Sequence, residues 1–236
     1  MTKRTLFILA VLAILFTACS QITIEPRKYY ILEYKTMNED KNLFTNDPFN
    51  FTLRVADADI NGTYNRRQIV VKTSENQIMY DYDNLWADRL PNALGNLIHQ
   101  RISRYGIFSR VTRDYQQQAK YELVANIKAL EFLKFGSIYA TRLNIDMRLN
   151  RTSDNLVVFQ HSADRTRQIY VDNSELFIQA VNDILMQETD IFLKSLLKHL
   201  EEIEHGVNLG SRVFTSREFL DNSLNERIRL EIIEGE

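Results

Sequence analysis

The sequence predicts an α+β fold: a largely antiparallel β-sheet with two amphipathic helices packed on one face. Three observations lead there. Two long segments alternate at the period of a half-buried strand. Tyr121, Leu123, Ala125, Ile127 and Ala129 oppose Glu122, Val124, Asn126 and Lys128, while Tyr139, Thr141, Leu143, Ile145, Met147 and Leu149 oppose Arg142, Asn144, Asp146 and Arg148. Two further segments carry apolar residues at helical spacing: Leu90, Leu94, Leu97, Ile98 and Ile102, then Phe177, Val181, Ile184, Leu185, Phe192, Leu196 and Leu200, with Glu188 on the same stripe. The short Thr152-Ser153-Asp154 link makes the strand after it antiparallel to its predecessor. One sheet face is therefore polar and the helices cover the other.

The elements follow in order. Ile22 to Arg27, with Pro26, reads as an extended tether, and Tyr29 to Tyr34 is β-rich. Residues 36–48 are polar and form a loop. Phe49 to Val55 alternates as a strand, Asn61-Gly62 marks a break, and Gln68 to Lys72 and Gln77 to Tyr82 are strands around the Ser74-Glu75-Asn76 turn. A helix is predicted from about residue 88 to 104, with Pro91 near its start, where the missing N–H costs nothing, and Gly106 as a left-handed stop. Phe108 to Arg113 returns to strand, and Asn155 to Tyr170 gives the last long one. The second helix starts at Ser174, a candidate N-cap, and reaches Glu204. Residues 205–236 form a polar extension or partner-binding segment, in which Phe214, Phe219, Leu220, Leu224 and Ile228 give weak helical character.

Cys19 is the only cysteine in the chain. It follows a charged start (Lys3, Arg4), an apolar run from Leu6 to Phe16, and the small residues Thr17-Ala18, the layout of a secretory signal. A bilayer span needs about 20 apolar residues, and this run supplies roughly half to two thirds of them, so cleavage is expected. Phe16-Thr17-Ala18-Cys19 resembles the bacterial lipobox, with Phe16 where leucine is usual, and that resemblance implies covalent lipid on Cys19. One acyl chain holds a protein only marginally, whereas two or three hold it stably. A retained anchor helix and an ordinary secretory signal with an incidental cysteine are the alternatives. The chain thus divides into a signal (1–18), a lipidated tether (19–27), a globular domain (28–204) and the extension (205–236).

Composition fits a folded exported domain. Hydrophobic residues make up 44% and charged residues 25%, with only 7 Gly and 3 Pro, which argues against disorder. Loss of Lys3 and Arg4 with the signal moves the formal charge from −2 to −4, so no basic surface points to nucleic acid. A single cysteine offers no intrachain disulfide, and about 200 residues must hold together by their core.

The sequence carries no catalytic constellation. His99, His161, His199 and His205 are scattered, and the last two, six apart, do not share a helix face, so no metal site is expected. There is neither a glycine-rich phosphate loop nor a Gly-x-Ser-x-Gly elbow. The acidic groups Asp57/Asp59, Asp81/Asp83 and Glu201/Glu202/Glu204 read as solvated turns and a helix end. The expectation is a protein that is not an enzyme and uses no cofactor beyond the lipid.

The distinctive stretch is residues 66–111. It contains Ile69-Val70-Val71-Lys72, the tyrosines Tyr80 and Tyr82, Trp86 followed by Pro91 at a helix start, and Gly106, Phe108 and Val111. This pattern resembles the auxiliary lipoproteins of ABC-type transport systems, a family that includes the paraquat-inducible lipoprotein and partners of MCE-domain (mammalian cell entry) lipid transporters. Where the family pattern has an aromatic and an arginine, this chain has Val71 and Lys72. The resemblance extends over residues 28–204. It implies an outer-membrane or periplasmic lipoprotein whose partners are an inner-membrane ABC permease and an MCE protein moving phospholipid or another hydrophobic molecule. Ser20-Gln21 after the cysteine, with no aspartate, resembles lipoproteins sent to the outer membrane, where the chain would face the periplasm. Self-association is left open.

Trp86, Tyr80 and Tyr82 stand at the strand-to-helix junction, where large amphipathic side chains either seal a core or meet a partner. The helix stripes are read as core, with a lipid groove between helices and sheet as the alternative. A lipoprotein that assists outer-membrane assembly, or a structural envelope lipoprotein, would share the same signal and domain.

Overall fold

The structure, a computed structural model, describes residues 26–36, 39–204 and 214–218. Cys19 and the signal lie outside the described residues.

Ten strands are described: β1 (Lys28–Tyr30), β2 (Phe49–Val55), β3 (Asp59–Ile60), β4 (Gln68–Ser74), β5 (Gln77–Trp86), β6 (Phe108–Thr112), β7 (Tyr121–Phe135), β8 (Ile138–Arg151), β9 (Leu156–Ile169) and β10 (Phe214–Glu218). The helices are α1 (Leu90–Tyr105) and α2 (Ser174–Glu204). The α+β architecture is the one expected, in a single sheet of order β1-β5-β4-β7-β8-β9-β10, with β2 and β3 on β7 and β6 beyond β2. The sheet is mixed. The long ladders, β7 with β8 and β8 with β9, and the β4–β5 hairpin are antiparallel. The six shorter pairings are parallel.

Both helices pack on one face. Leu90, Leu94, Leu97, Ile98 and Ile102 of α1 and Phe177, Val181, Leu185 and Phe192 of α2 share one core with the inward residues of the sheet. The stripes are therefore core rather than groove walls. Gly106 ends α1 at φ 67°, ψ 21°, as its position predicts. Gly95, inside α1, allows close approach of the sheet, since a Cβ there would meet the Ala56 carbonyl oxygen at 2.7 Å.

The α2 cap falls one residue earlier than expected. Asn173, not Ser174, accepts from the backbone N–H groups of Glu175 (2.7 Å) and Leu176 (3.2 Å), the N2 and N3 donors of a helix that begins at Ser174. An Asn173→Ala variant should lose about 1 kcal/mol in urea unfolding, while Ser174→Ala should change it little.

Two features depart from the alternation. A bulge at Lys128 breaks the β7–β8 ladder, so that Ile127 pairs with Ile145 and Ala129 with Asn144. Beyond it Leu130 and Phe132, not Ala129, enter the main core. The outer face is also less open than expected. Leu133, Phe135, Ile138 and Ala140 form a small apolar cluster there. Beside it Glu131 is buried, accepting from Tyr64 Oη (2.7 Å) and Arg142 Nη1 (3.3 Å), while Arg142 grips Asp164 through two bonds of 3.0 and 2.8 Å. In the C-terminal extension, Phe214–Glu218 forms a strand parallel to β9 instead of a helical turn, because the β9 edge offers backbone partners from Phe159 to Ala163.

Candidate functional site

The three aromatic residues singled out in the sequence do not act together. Trp86 ends β5 and is 3% exposed, its ring 6.1 Å from Phe177 of α2, so it seals the core. Tyr80 is partly buried beneath the guanidinium of Arg66, 3.8 Å from the ring centroid. Tyr82 is 62% exposed. The separation has a local cause. The Asp81 side chain accepts from the backbone N–H groups of Asp83 and Asn84, both at 3.0 Å, turning the strand out of register with β4 between Gln68 and Ile69. Of the three, Tyr82 is the one presented at the surface.

The polar chemistry of the interior lies between the helices and the sheet, at residues the sequence reading did not single out as a site. Arg101 of α1, 1% exposed, forms a bidentate pair with Asp190 of α2 through Nε (2.8 Å) and Nη2 (2.7 Å). Tyr105 Oη donates to the same carboxylate at 2.8 Å and accepts from the Asp40 N–H at 3.1 Å. A second group joins α2 to β9. Glu188 meets His161 Nε2 at 2.9 Å and accepts from Arg165 Nε at 2.6 Å. His161 is fully buried and Glu188 nearly so, which closes this histidine and carboxylate to substrate.

These residues left a trace in the sequence. Arg101 follows Leu94 and Ile98 at helical spacing, and Glu188 lies on the apolar stripe of α2. A charged residue on a buried stripe needs a partner, and the helix period alone does not say which one.

Burial would raise the Glu188 pKa, but the His161 and Arg165 hydrogen bonds and charges outweigh it and hold the carboxyl below its ordinary value of 4.5. A depressed carboxylate contributes stability that is present above its unfolded pKa and lost as pH falls through the folded one. Urea midpoints recorded from pH 6 down past pH 4.5 should therefore fall, and Glu188→Gln should flatten that part of the curve while starting from a lower plateau.

A small cleft lies between the segment after β1 and α2, lined by Glu33, Lys35, Arg101, Gln179, Asn182, Asp183, Met186 and Gln187, with a volume of about 200 Å³. That is below the 300–1,000 Å³ typical of pockets that enclose a small molecule. Its arginine is engaged with Asp190. Among the described residues no group of three His, Cys, Asp or Glu could hold a metal ion, and no helix is long and apolar enough to cross a membrane.

Residues 38–190, well over half of the chain, match the family of ABC-type transport auxiliary lipoprotein components. The chain belongs to that family. The matched span contains Trp86, the whole of α1 and the Arg101–Asp190 pair, and it stops short of both Cys19 and β10. Members are lipoprotein components that assist ABC-type transport, which associates this chain with the cell envelope. Solved structures share the fold. A Xanthomonas campestris protein is similar with a TM-score of 0.61 at 17% identity, covering 75% of this chain and 99% of its own. An uncharacterized protein gives a TM-score of 0.57 at 15% identity, over 73% of this chain and 99% of its own. No curated protein matches the sequence.

Proposed function

We propose that this chain is the lipid-anchored, non-catalytic accessory subunit of an ABC/MCE-type system that moves phospholipid or another hydrophobic molecule across the bacterial envelope. It is held by acyl chains on Cys19, at the outer membrane and facing the periplasm. The observation that carries the reading is the family match over residues 38–190, which includes the Trp86 to Val111 segment. The burial of His161 and Glu188, paired with each other, supports a role in binding and positioning over one in chemistry. Of Trp86, Tyr80 and Tyr82, it is Tyr82 that is exposed and through which a partner would be met.

Two experiments test this. Purification of the native chain in mild detergent should recover an MCE protein and an ABC permease, and their consistent absence would sink the transport partnership. A Cys19→Ser variant should lose label from radioactive palmitate and leave the membrane fraction. Label persisting on the variant would refute Cys19 as the anchor.

A further inference from the structure

We infer that the end of the sheet formed by the β4–β5 turn, the β7–β8 turn and the start of α2 docks on the bilayer surface, with Tyr170, Val171, Leu176 and Met79 as its contact residues. The inference rests on the reading of Cys19 as lipidated. It starts from exposed apolar side chains. Tyr170 is 87% exposed, and Val171, Leu176 and Met79 are also open to solvent. Scattered single apolar residues need no explanation, but several at one end of a domain do.

The pairing register brings them together. Met79 pairs with Val71, and Val71 with Phe132. Phe132 stacks on Phe177, the neighbour of Leu176, with ring centroids 5.1 Å apart. Lys134 pairs with Tyr139 and Tyr139 with Ile169, which directly precedes Tyr170 and Val171. The four residues thus fall at the level of residues 132–135 of β7, where an ion pair between Lys134 and Asp172 (2.6 Å) fixes the chain leading into α2.

The anchor selects the same end. β1 runs parallel to β5, with Lys28 opposite Asn84, and β5 itself runs away from the β4–β5 turn. Arg27 and Pro26 therefore lie on the side of β1 that faces that turn. From Cys19 to Lys28 the chain spans at most ~30 Å. Through Leu85, Gln68 and Val71 the start of β1 is level with about residue 129 of β7, some ~20 Å below this end at ~3.3 Å per residue. A membrane-embedded Cys19 thus holds this end at the bilayer. The opposite end, where β7 begins, lies about 26 Å from the level of Lys28 and about 33 Å from that of Pro26, beyond the roughly 25 Å that the seven residues from Cys19 to Pro26 can span.

A bilayer interface suits the chemistry of the contact. Tyr170 is amphipathic, with an apolar ring that enters the headgroup boundary and a hydroxyl that stays hydrated. Val171, Met79 and Leu176 add apolar area, while the charges beside them stay at headgroup level, Asp172 paired with Lys134 and Glu75 and Glu175 open to solvent.

The test uses the full lipidated chain in vesicles of phosphatidylethanolamine and phosphatidylglycerol. Since an acylated Cys19 has no free thiol, Tyr170→Cys, Leu176→Cys and Tyr115→Cys each supply a unique site for an environment-sensitive fluorophore. Tyr115 is 63% exposed and precedes β7, at the far end. The labels at 170 and 176 should show a blue shift and a several-fold rise in emission, and doxyl-labelled lipid should quench them. The label at 115 should show neither. Trp86 emission reports that each variant is folded. Protein that fails to float with the vesicles refutes lipidation. Protein that floats while the labels at 170 and 176 stay water-exposed overturns the docking alone. A blue shift without quenching by lipid also overturns it, and assigns this surface to a second copy of the chain.

Discussion

An Asp190→Ala variant is expected to unfold about 3–5 kcal/mol below the parent chain in urea, the largest single effect of any polar substitution in the domain. The magnitude follows from what is left behind. Arg101 is 1% exposed, and its charge cannot be shed, since Asp190 and its other polar neighbours outweigh burial and hold the guanidinium protonated well above its ordinary pKa. Removing Asp190 leaves that cation buried without its counter-ion and takes away the acceptor of Tyr105 Oη. Desolvation that the pair offset in the parent then stands unopposed.

The same reasoning predicts a rescue. Replacing all three partners by apolar residues of similar shape, as in Arg101→Met, Asp190→Leu and Tyr105→Phe together, should recover most of the loss, because the buried charge and its counter-ion leave together and only the part-buried Asp40 N–H loses an acceptor. If the triple variant is as unstable as Asp190→Ala, the pair contributes more than mutual compensation and this reading of it fails. The pair joins the C-terminal part of α1 to the middle of α2, so a second readout is available. In the single variant, amide exchange should accelerate along α1 before it does so in β7 and β8.

How much of this was legible in the sequence depends on which periodicity carried it. The helix stripes and the long alternations of β7, β8 and β9 identify the sheet, the two helices and most core residues, because one face of each is buried in the structure. Alternation is blind to strand direction, so the parallel pairings of β1, β2, β3, β4 and β10 carried no local signal. It is equally blind to the bulge at Lys128, which inserts one residue and exchanges the faces beyond it while leaving a plausible strand on either side. The candidate site divides in the same way. Tyr82 is exposed and Trp86 buried because Asp81 captures two backbone N–H groups between them, a turn inside what the sequence presents as one strand followed by a helix. Arg101 and Glu188 were visible as charges on apolar stripes, but Asp190, His161 and Arg165 are partners set by tertiary packing, out of reach of local spacing.

Trp86→Ala should also cost about 3–5 kcal/mol, for a reason opposite in kind: it removes apolar volume instead of a charge. The indole is buried where β5 gives way to α1, against Phe177, which in turn stacks on Phe132 of the central strand. Truncation leaves a cavity that rigid neighbours on both the sheet and α2 cannot close. For a domain of this size each kcal/mol corresponds to about 2–4 °C, so the melting temperature should drop by roughly 10 °C. Tyr82→Ala is the matching control, because an exposed ring outside the core should change stability by less than about 0.5 kcal/mol. The two variants also separate core from contact in the transport reading. If Tyr82 meets the partner, its alanine variant keeps the melting temperature and loses the MCE protein on purification, whereas a mildly cooled Trp86→Ala sample, still folded, retains it. A Trp86→Ala protein that melts like the parent yet loses the partner would move Trp86 from the core to the interface.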